Sequence, residues 1–142
     1  MNQQFSEQQI ISMAQQEEAV LQSKQAYLKQ LTRVLQDVVL GIEGLKEIQK
    51  KPESIMVKLG PGIMIEAKLT DNTNCMRAFA DNGFKKAPIK DTIEWLNDKQ
   101  KNLETQLQNM NKEVAKSKQK LNELIGIIKQ IETEKSKNIS VK

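Results

Sequence analysis

The chain has 142 residues, the length of one ordinary domain, and its 22 Lys and Arg against 18 Asp and Glu give a net charge of +4. It contains no His, which excludes Ser–His and Cys–His nucleophile pairs and His-ligated zinc. The single cysteine, Cys75, excludes an internal disulfide and a Cys-x-x-Cys site. We therefore expect no enzyme activity, no metal site and no cofactor.

The segment 6–51 is predicted to form a long coiled-coil helix. It has no Pro, and its Gly residues fall only near its end, at positions 41 and 44. Apolar side chains recur every seven residues with a companion three residues on, and a second apolar row lies beside them. The first row is Ala14, Leu21, Leu28, Leu35 and Ile42 with Leu31, Val38 and Leu45, and the second is Met13, Val20, Tyr27, Val34 and Ile48. Glu17 and Lys24 interrupt the seam and weaken it towards the N-terminus.

The segment 54–87 is predicted to form two β-hairpins, hence four short strands. Apolar and polar residues alternate on both sides of the tight turn Gly60-Pro61-Gly62, and Asp81-Asn82-Gly83 marks a second tight turn. Four strands in two hairpins cannot cover both of their faces or their open edges. This segment therefore predicts assembly with other chains.

The segment 89–135 has the sharpest heptad pattern, with ten apolar residues among twelve seam positions, and is predicted to form a second coiled-coil helix. An ordinary core helix is the alternative. The seam positions are Ile93, Leu96, Gln100, Leu103, Leu107, Met110, Val114, Ser117, Leu121, Leu124, Ile128 and Ile131. Two helices of similar length with a compact connection favour an antiparallel hairpin, and residues 136–142 are expected to form a frayed tail.

The predicted fold is thus mainly α with a small β part, a long antiparallel coiled-coil hairpin whose helices are joined by two β-hairpins. This layout resembles the α-type subunits of the prefoldin family. The stretch 57–65, Val-Lys-Leu-Gly-Pro-Gly-Ile-Met-Ile, is similar to the family's V-P-L-G-x-G-x-aromatic-V, with Lys58 and Met64 as departures. The segments 82–84 and 92–96 resemble the second hairpin turn and the start of the second helix, although Lys85 and Lys86 stand where an acidic residue is usual.

The resemblance implies a hexamer of two α-type and four β-type prefoldin subunits whose strands join into a β-barrel. It also implies ATP-independent capture of unfolded or nascent proteins, which are passed to a group II chaperonin. The strand residues expected to form the barrel interior and the subunit contacts are Ile55, Val57, Leu59, Ile63, Ile65, Leu69, Phe79 and Phe84. Trp95 is expected to anchor the sheet to the second helix.

In a chaperone of this design the free tips of the coiled coil contact the client. The candidate residues are Phe5, Ile10, Ile11, Met13, Ile127, Ile128 and Ile131. Apolar contact of this kind contributes roughly 1.5–3 kcal/mol for each side chain that becomes fully buried. The simpler interpretation is that Ile10, Ile128 and Ile131 are only the last layers of the seam.

Two other functions remain as alternatives. A coiled-coil scaffold without a client would show the same periodicity. Lysine clusters invite a nucleic-acid interpretation, but only Arg33 and Arg77 are Arg and the clusters lack aromatic residues for base stacking, so nucleic acid is not the expected partner. The N-terminus lacks the features of a signal peptide and no apolar stretch approaches the roughly 20 residues of a membrane span, so we expect a cytoplasmic protein without a membrane partner.

Overall fold

The computed structural model describes residues 5–81 and 83–140. In chain order it contains α1 (Glu7–Gln49), β1 (Ile55–Gly60), β2 (Ile63–Ala67), β3 (Asn74–Phe79), β4 (Gly83–Pro88) and α2 (Ile89–Ser140). The predicted fold class, two long helices joined by two β-hairpins, is confirmed. Asn82 of the predicted turn and residues 141–142 of the predicted tail lie outside the described residues.

Both helices differ at their ends from the sequence prediction. α1 begins after a reciprocal cap, in which the Gln9 N–H donates to Ser6 Oγ at 3.2 Å and the Ser6 N–H donates to Gln9 Oε1 at 2.8 Å. α2 continues to Ser140, although a frayed tail was expected after residue 135. The segment 132–140 contains neither Pro nor Gly, so nothing in it stops the helix.

The heptad pattern of α2 corresponds closely to its burial. Between Ile93 and Ile131, all twelve seam positions are buried or half-buried, and Trp95 is the only other residue in that range that is not exposed. In α1 the first apolar row is also buried or half-buried. Its second row is not a continuous part of the core, because Val20, Tyr27 and Val34 are exposed. The seam is therefore narrow on α2, whereas on α1 half-buried side chains such as Met13, Val39 and Ile48 lie beside it.

The chain divides into two compact units, residues 33–104 and residues 5–32 with 105–140. In the unit 33–104, the two helices and β3 surround a core of four buried side chains, with half-buried neighbours that include Cys75 and Leu103. The four are Val38, Ile42, Ile89 and Ile93. In the other unit, Ile10, Ala14 and Leu124 form a smaller core between antiparallel helix segments.

The two hairpins form separate two-stranded antiparallel sheets, β1–β2 and β3–β4. A bulge interrupts the first register between Lys58 and Gly60, and Gly62 in the connecting turn has φ +73°, which suits a residue without a Cβ atom. The second register pairs Ala78 with Phe84. Since neighbouring residues of a strand point to opposite faces, Phe79 and Phe84 lie on opposite faces of this hairpin.

No helix within the described residues has the length and apolar character needed to cross a membrane.

We expect Ile89→Ala to destabilise the unit 33–104 by about 2–5 kcal/mol, because Ile89 is only 2% exposed and its loss leaves a cavity. Leu40→Ala is the matched control, since Leu40 is 64% exposed and its truncation should change stability by no more than about 0.5 kcal/mol. Urea unfolding followed by circular dichroism measures both. Equal effects of the two variants would contradict the assigned core.

Candidate functional site

The end of the helix pair farthest along the chain from the strands contains all seven of the predicted tip residues. Four of them belong to the seam. Ile10 is buried, and the half-buried Met13, Ile128 and Ile131 pack against the small core that it forms with Ala14 and Leu124. In this conformation these four side chains hold the two helix segments together.

The other three predicted tip residues lie at the surface or at its margin. Phe5 is 48% exposed, Ile127 is 42% exposed and Ile11 is half-buried. Ile125 is also exposed, and it was missed because it lies outside the seam positions on which the sequence analysis concentrated. The end of the helix pair therefore presents several apolar side chains to solvent around its core.

A polar layer made of Glu17, Lys24, Ser117 and Lys120 interrupts the seam next to this apolar end. Ser117 is buried, and its hydroxyl accepts a hydrogen bond from Lys24 Nζ at 3.1 Å. Lys120 Nζ lies 3.3 Å from a carboxylate oxygen of Glu17, whose side chain is largely covered. The sequence placed Glu17, Lys24 and Ser117 on the seam, and the structure shows that they satisfy one another.

The layer also changes the ionisation of Glu17. A hydrogen bond with the Ser117 side chain, together with the positive charges of Lys120 and Lys24, lowers the pKa of Glu17 below its ordinary value, against the opposing effect of burial. Nearer the end, Lys135 and Glu7 form an ion pair between α2 and α1. Charged contacts thus fasten the two segments on either side of the apolar core.

Seven of the eight predicted assembly residues lie on the two hairpins, whereas Leu69, which was predicted to be a strand residue, lies after the end of β2 in the connection to β3. Ile55, Val57 and Leu69 are half-buried, whereas the remaining five are exposed. These five are Leu59, Ile63, Ile65, Phe79 and Phe84. Met56, Met64 and Met76, which were not among the predicted assembly residues, are exposed as well. A set of this size on two-stranded sheets is typical of a protein–protein interface.

Several contacts hold the β3–β4 hairpin against α2. The Cys75 thiol donates to Thr92 Oγ1 at 3.4 Å, and that hydroxyl donates to the Pro88 carbonyl at 2.9 Å. Arg77 stacks on the ring of Trp95, with its guanidinium carbon 4.9 Å from the ring centroid. Trp95 therefore contacts the hairpin through the Arg77 guanidinium, and the Cys75 thiol makes a polar contact with the start of α2.

The turn before β3 is built around Asp71. Its carboxylate accepts hydrogen bonds from the Thr73 N–H at 2.9 Å and from the Asn74 side-chain amide at 3.1 Å. The bonds from Thr73 and Asn74 hold the pKa of Asp71 well below its usual range. Lys86 on β4 approaches the same carboxylate at 3.4 Å. These contacts hold the backbone of the turn in place before β3 and tie it to β4.

The part of the chain that the structure describes contains no group of three or more Cys, Asp or Glu side chains able to hold a metal ion. Its depressions are shallow surface features, such as the one between Ser6, Glu7, Gln8 and Ile11. What the arrangement offers is apolar surface in two places, at the end of the helix pair and on the strands.

Two long helices joined by two β-hairpins, with exposed apolar side chains on the strands, define a coiled-coil helical hairpin whose sheets are suited to assembly. The sequence profile of the prefoldin family, described as prefoldin subunit, matches residues 13–134. The chain belongs to the prefoldin family. Members of this family are chaperone scaffolds and not enzymes, and they associate with other prefoldin subunits.

Among solved structures, the chain is similar to one in the cryo-EM structure of filamentous PFD from Methanocaldococcus jannaschii. The TM-score is 0.64 at 16% sequence identity, and the match covers 81% of this chain and 97% of the other. This likeness concerns the fold. No curated protein sequence matches the chain.

We expect Glu17 to stabilise the helix pair only when it is ionised. The pKa of Glu17 is lower in the folded state than in the unfolded state. Its contribution to stability is therefore fully present above its pKa in the unfolded state, and it is lost as the pH falls through its lower pKa in the folded state. Thermal unfolding of the wild type and of Glu17→Gln, followed from pH 7 to pH 3, should show a higher melting temperature for the wild type at pH 7. The difference should shrink in acid.

Glu18→Gln is the matched control, because Glu18 is an exposed neighbour on the same helix. It should change the melting temperature little at any pH. A difference between the wild type and Glu17→Gln that does not depend on pH would contradict the assigned polar layer.

Proposed function

We propose that the chain is an α-type subunit of an ATP-independent chaperone that holds unfolded polypeptides and delivers them to a group II chaperonin in the cytoplasm. Membership of the prefoldin family supports the chaperone role. The observation that carries the proposal is the exposure of apolar side chains at the end of the helix pair, where Phe5, Ile125 and Ile127 face solvent.

Each of these contacts is small. An apolar side chain that becomes fully buried against a client contributes roughly 1.5–3 kcal/mol, so one tip binds weakly and several tips in one particle bind well. Weak contacts at many points suit the capture of chains that have no fixed structure. Combining several weak contacts requires several subunits in one particle, and the exposed strand residues of the hairpins are the candidate surface for that assembly.

We infer that the hairpins join this chain to β-type prefoldin subunits, with two α-type and four β-type subunits in the particle. The exposed strand residues and the unpaired edges of two-stranded sheets support this inference. Val57 and Ile65 face each other across β1 and β2, at the centre of the first hairpin. Their side chains share one face of that hairpin with Ile55 and Ala67.

Replacing Phe5, Ile125 and Ile127 together with Ser should reduce the suppression of client aggregation by the assembled particle, because the exposed apolar contacts are removed while the seam remains. Light scattering of a denatured client diluted into buffer measures the suppression. Replacing Val20 and Val34 with Ser is the matched control, since both are exposed apolar residues of α1 away from its end.

Equal suppression by the tip variant and the wild type would overturn the assignment of the tip. A wild-type particle that suppresses no aggregation would instead favour a coiled-coil scaffold. Nucleic acid that copurifies and dissociates at high salt would favour the nucleic-acid alternative.

Replacing Val57 and Ile65 with Asp should abolish assembly and leave the helices intact, because two like charges would then face each other on a surface that must be buried. Native mass spectrometry measures assembly and circular dichroism measures helix content. Leu40→Asp, on an exposed position of α1, is the control and should assemble normally. A double variant that retains the assembled mass would show that this face of the hairpin is not the interface.

A further inference from the structure

Three cations and two aromatic rings form a continuous stack from β4 across β3 to α2. Arg77 lies between the rings, with its guanidinium carbon 4.9 Å from the centroid of Phe79 and 4.9 Å from that of Trp95. Lys85 Nζ lies 5.2 Å from the Phe79 ring and Lys99 Nζ lies 4.1 Å from the Trp95 ring. We call these five residues the basic ladder.

The basic ladder has three positive charges that form no direct ion pair in the described part of the chain. Within residues 5–81 and 83–140, the ion pairs do not include Arg77, Lys85 or Lys99. Arg77 and Lys85 are also direct cross-strand partners. Like charges in this position are destabilising, and an aromatic ring face offsets only part of that cost. A carboxylate placed beside these cations would offset the remaining repulsion.

We propose that the basic ladder binds carboxylates of a neighbouring prefoldin subunit that differs from this chain, an inference that rests on the proposed assembly. The charge of the ladder calls for an acidic partner. The ladder is also continuous with the strand surface assigned to assembly, because Phe79, which is 40% exposed, belongs to both. An interface built on these strands would cover the ladder or its border.

The same charges disfavour other occupants. A second copy of this chain would present its own Arg77, Lys85 and Lys99, so the two surfaces would repel each other. A single-stranded nucleic acid needs free ring faces for its bases, whereas the Phe79 and Trp95 rings each already contact two cations. The ladder therefore favours an acidic subunit over a copy of itself and over nucleic acid.

The experiment compares Lys85→Glu with Lys118→Glu in full-length chains coexpressed with the β-type prefoldin subunit of the same organism. Lys118 is an exposed lysine of α2 outside the ladder, so both variants change the net charge equally. Lys85→Glu places a carboxylate opposite Arg77, so its hairpin should fold at least as well as the wild type. We expect its affinity for the partner to be roughly tenfold weaker at low salt, and that of Lys118→Glu to be unchanged.

A zero-length carbodiimide cross-link, which joins amines only to adjacent carboxyl groups, identifies the partner residues. We expect links from Lys85 or Lys99 to Asp or Glu of the β-type subunit. The proposed role of the ladder would be overturned if the wild type assembles without such a link and the two variants bind the partner with equal affinity. The proposed function would then still stand. A wild type that forms only homo-oligomers, or that binds nucleic acid in a manner abolished by Lys85→Glu, would also overturn the proposed role of the ladder. A wild type that does not associate with any prefoldin subunit would overturn both.

Discussion

The seam between α1 and α2 is the contact on which the rest of the structure depends. It is narrow because two helices can bury only the side chains that point directly at each other. In the unit 33–104 it buries Val38, Ile42 and Ile93 together with Ile89 in one cluster. In the other unit the buried side chains are spread along the seam, with Ile10, Ala14 and Leu124 in one cluster and Leu21, Leu31 and Val114 outside it. Three apolar side chains one position outside the seam, Val20, Tyr27 and Val34, stay exposed. A chain built in this way always has apolar surface left over for partners.

A narrow seam that repeats every seven residues has several registers of similar energy, and the polar layer distinguishes between them. In the observed register, Lys24 meets the Ser117 hydroxyl. A shift of one heptad would place Lys24 against Met110 or Leu124, which offer no acceptor to a buried ammonium group. The layer contributes little apolar burial, and it makes one pairing of the helices better than its neighbours.

The sequence was sufficient for the elements because their periods are local properties. A heptad can be read within α2 alone, and the turn Gly60-Pro61-Gly62 can be read within nine residues. The cap formed by Ser6 and Gln9 was also predictable from the sequence, because a capping box consists of two polar residues three positions apart at the start of a helix. The assignment of Ile10 and Ile128 to the seam was one of two interpretations that periodicity allowed, and contacts were needed to choose it.

The basic ladder could not be read in this way. Arg77 and Lys85 become neighbours only through the register of β3 and β4, and Trp95 joins them only because the hairpin packs on α2. In the sequence they are three separate residues in three segments. Contacts between distant segments depend on how the segments pack, and a local repeat in the sequence does not predict them.

The pairing of the strands shows which neighbours surround the residues that depart from the prefoldin pattern. Lys58 and Met64, which stand where the family has a proline and an aromatic residue, are direct partners across β1 and β2. Of the two lysines that replace an acidic residue, Lys86 lies 3.4 Å from the Asp71 carboxylate and Lys85 belongs to the basic ladder. Lys86 is therefore matched to an acidic neighbour within the chain, whereas Lys85 faces the like charge of Arg77. Because the fold requires a period and a pairing more than particular residues, it is shared with a solved prefoldin chain at 16% identity while the charge of its surfaces is free to change.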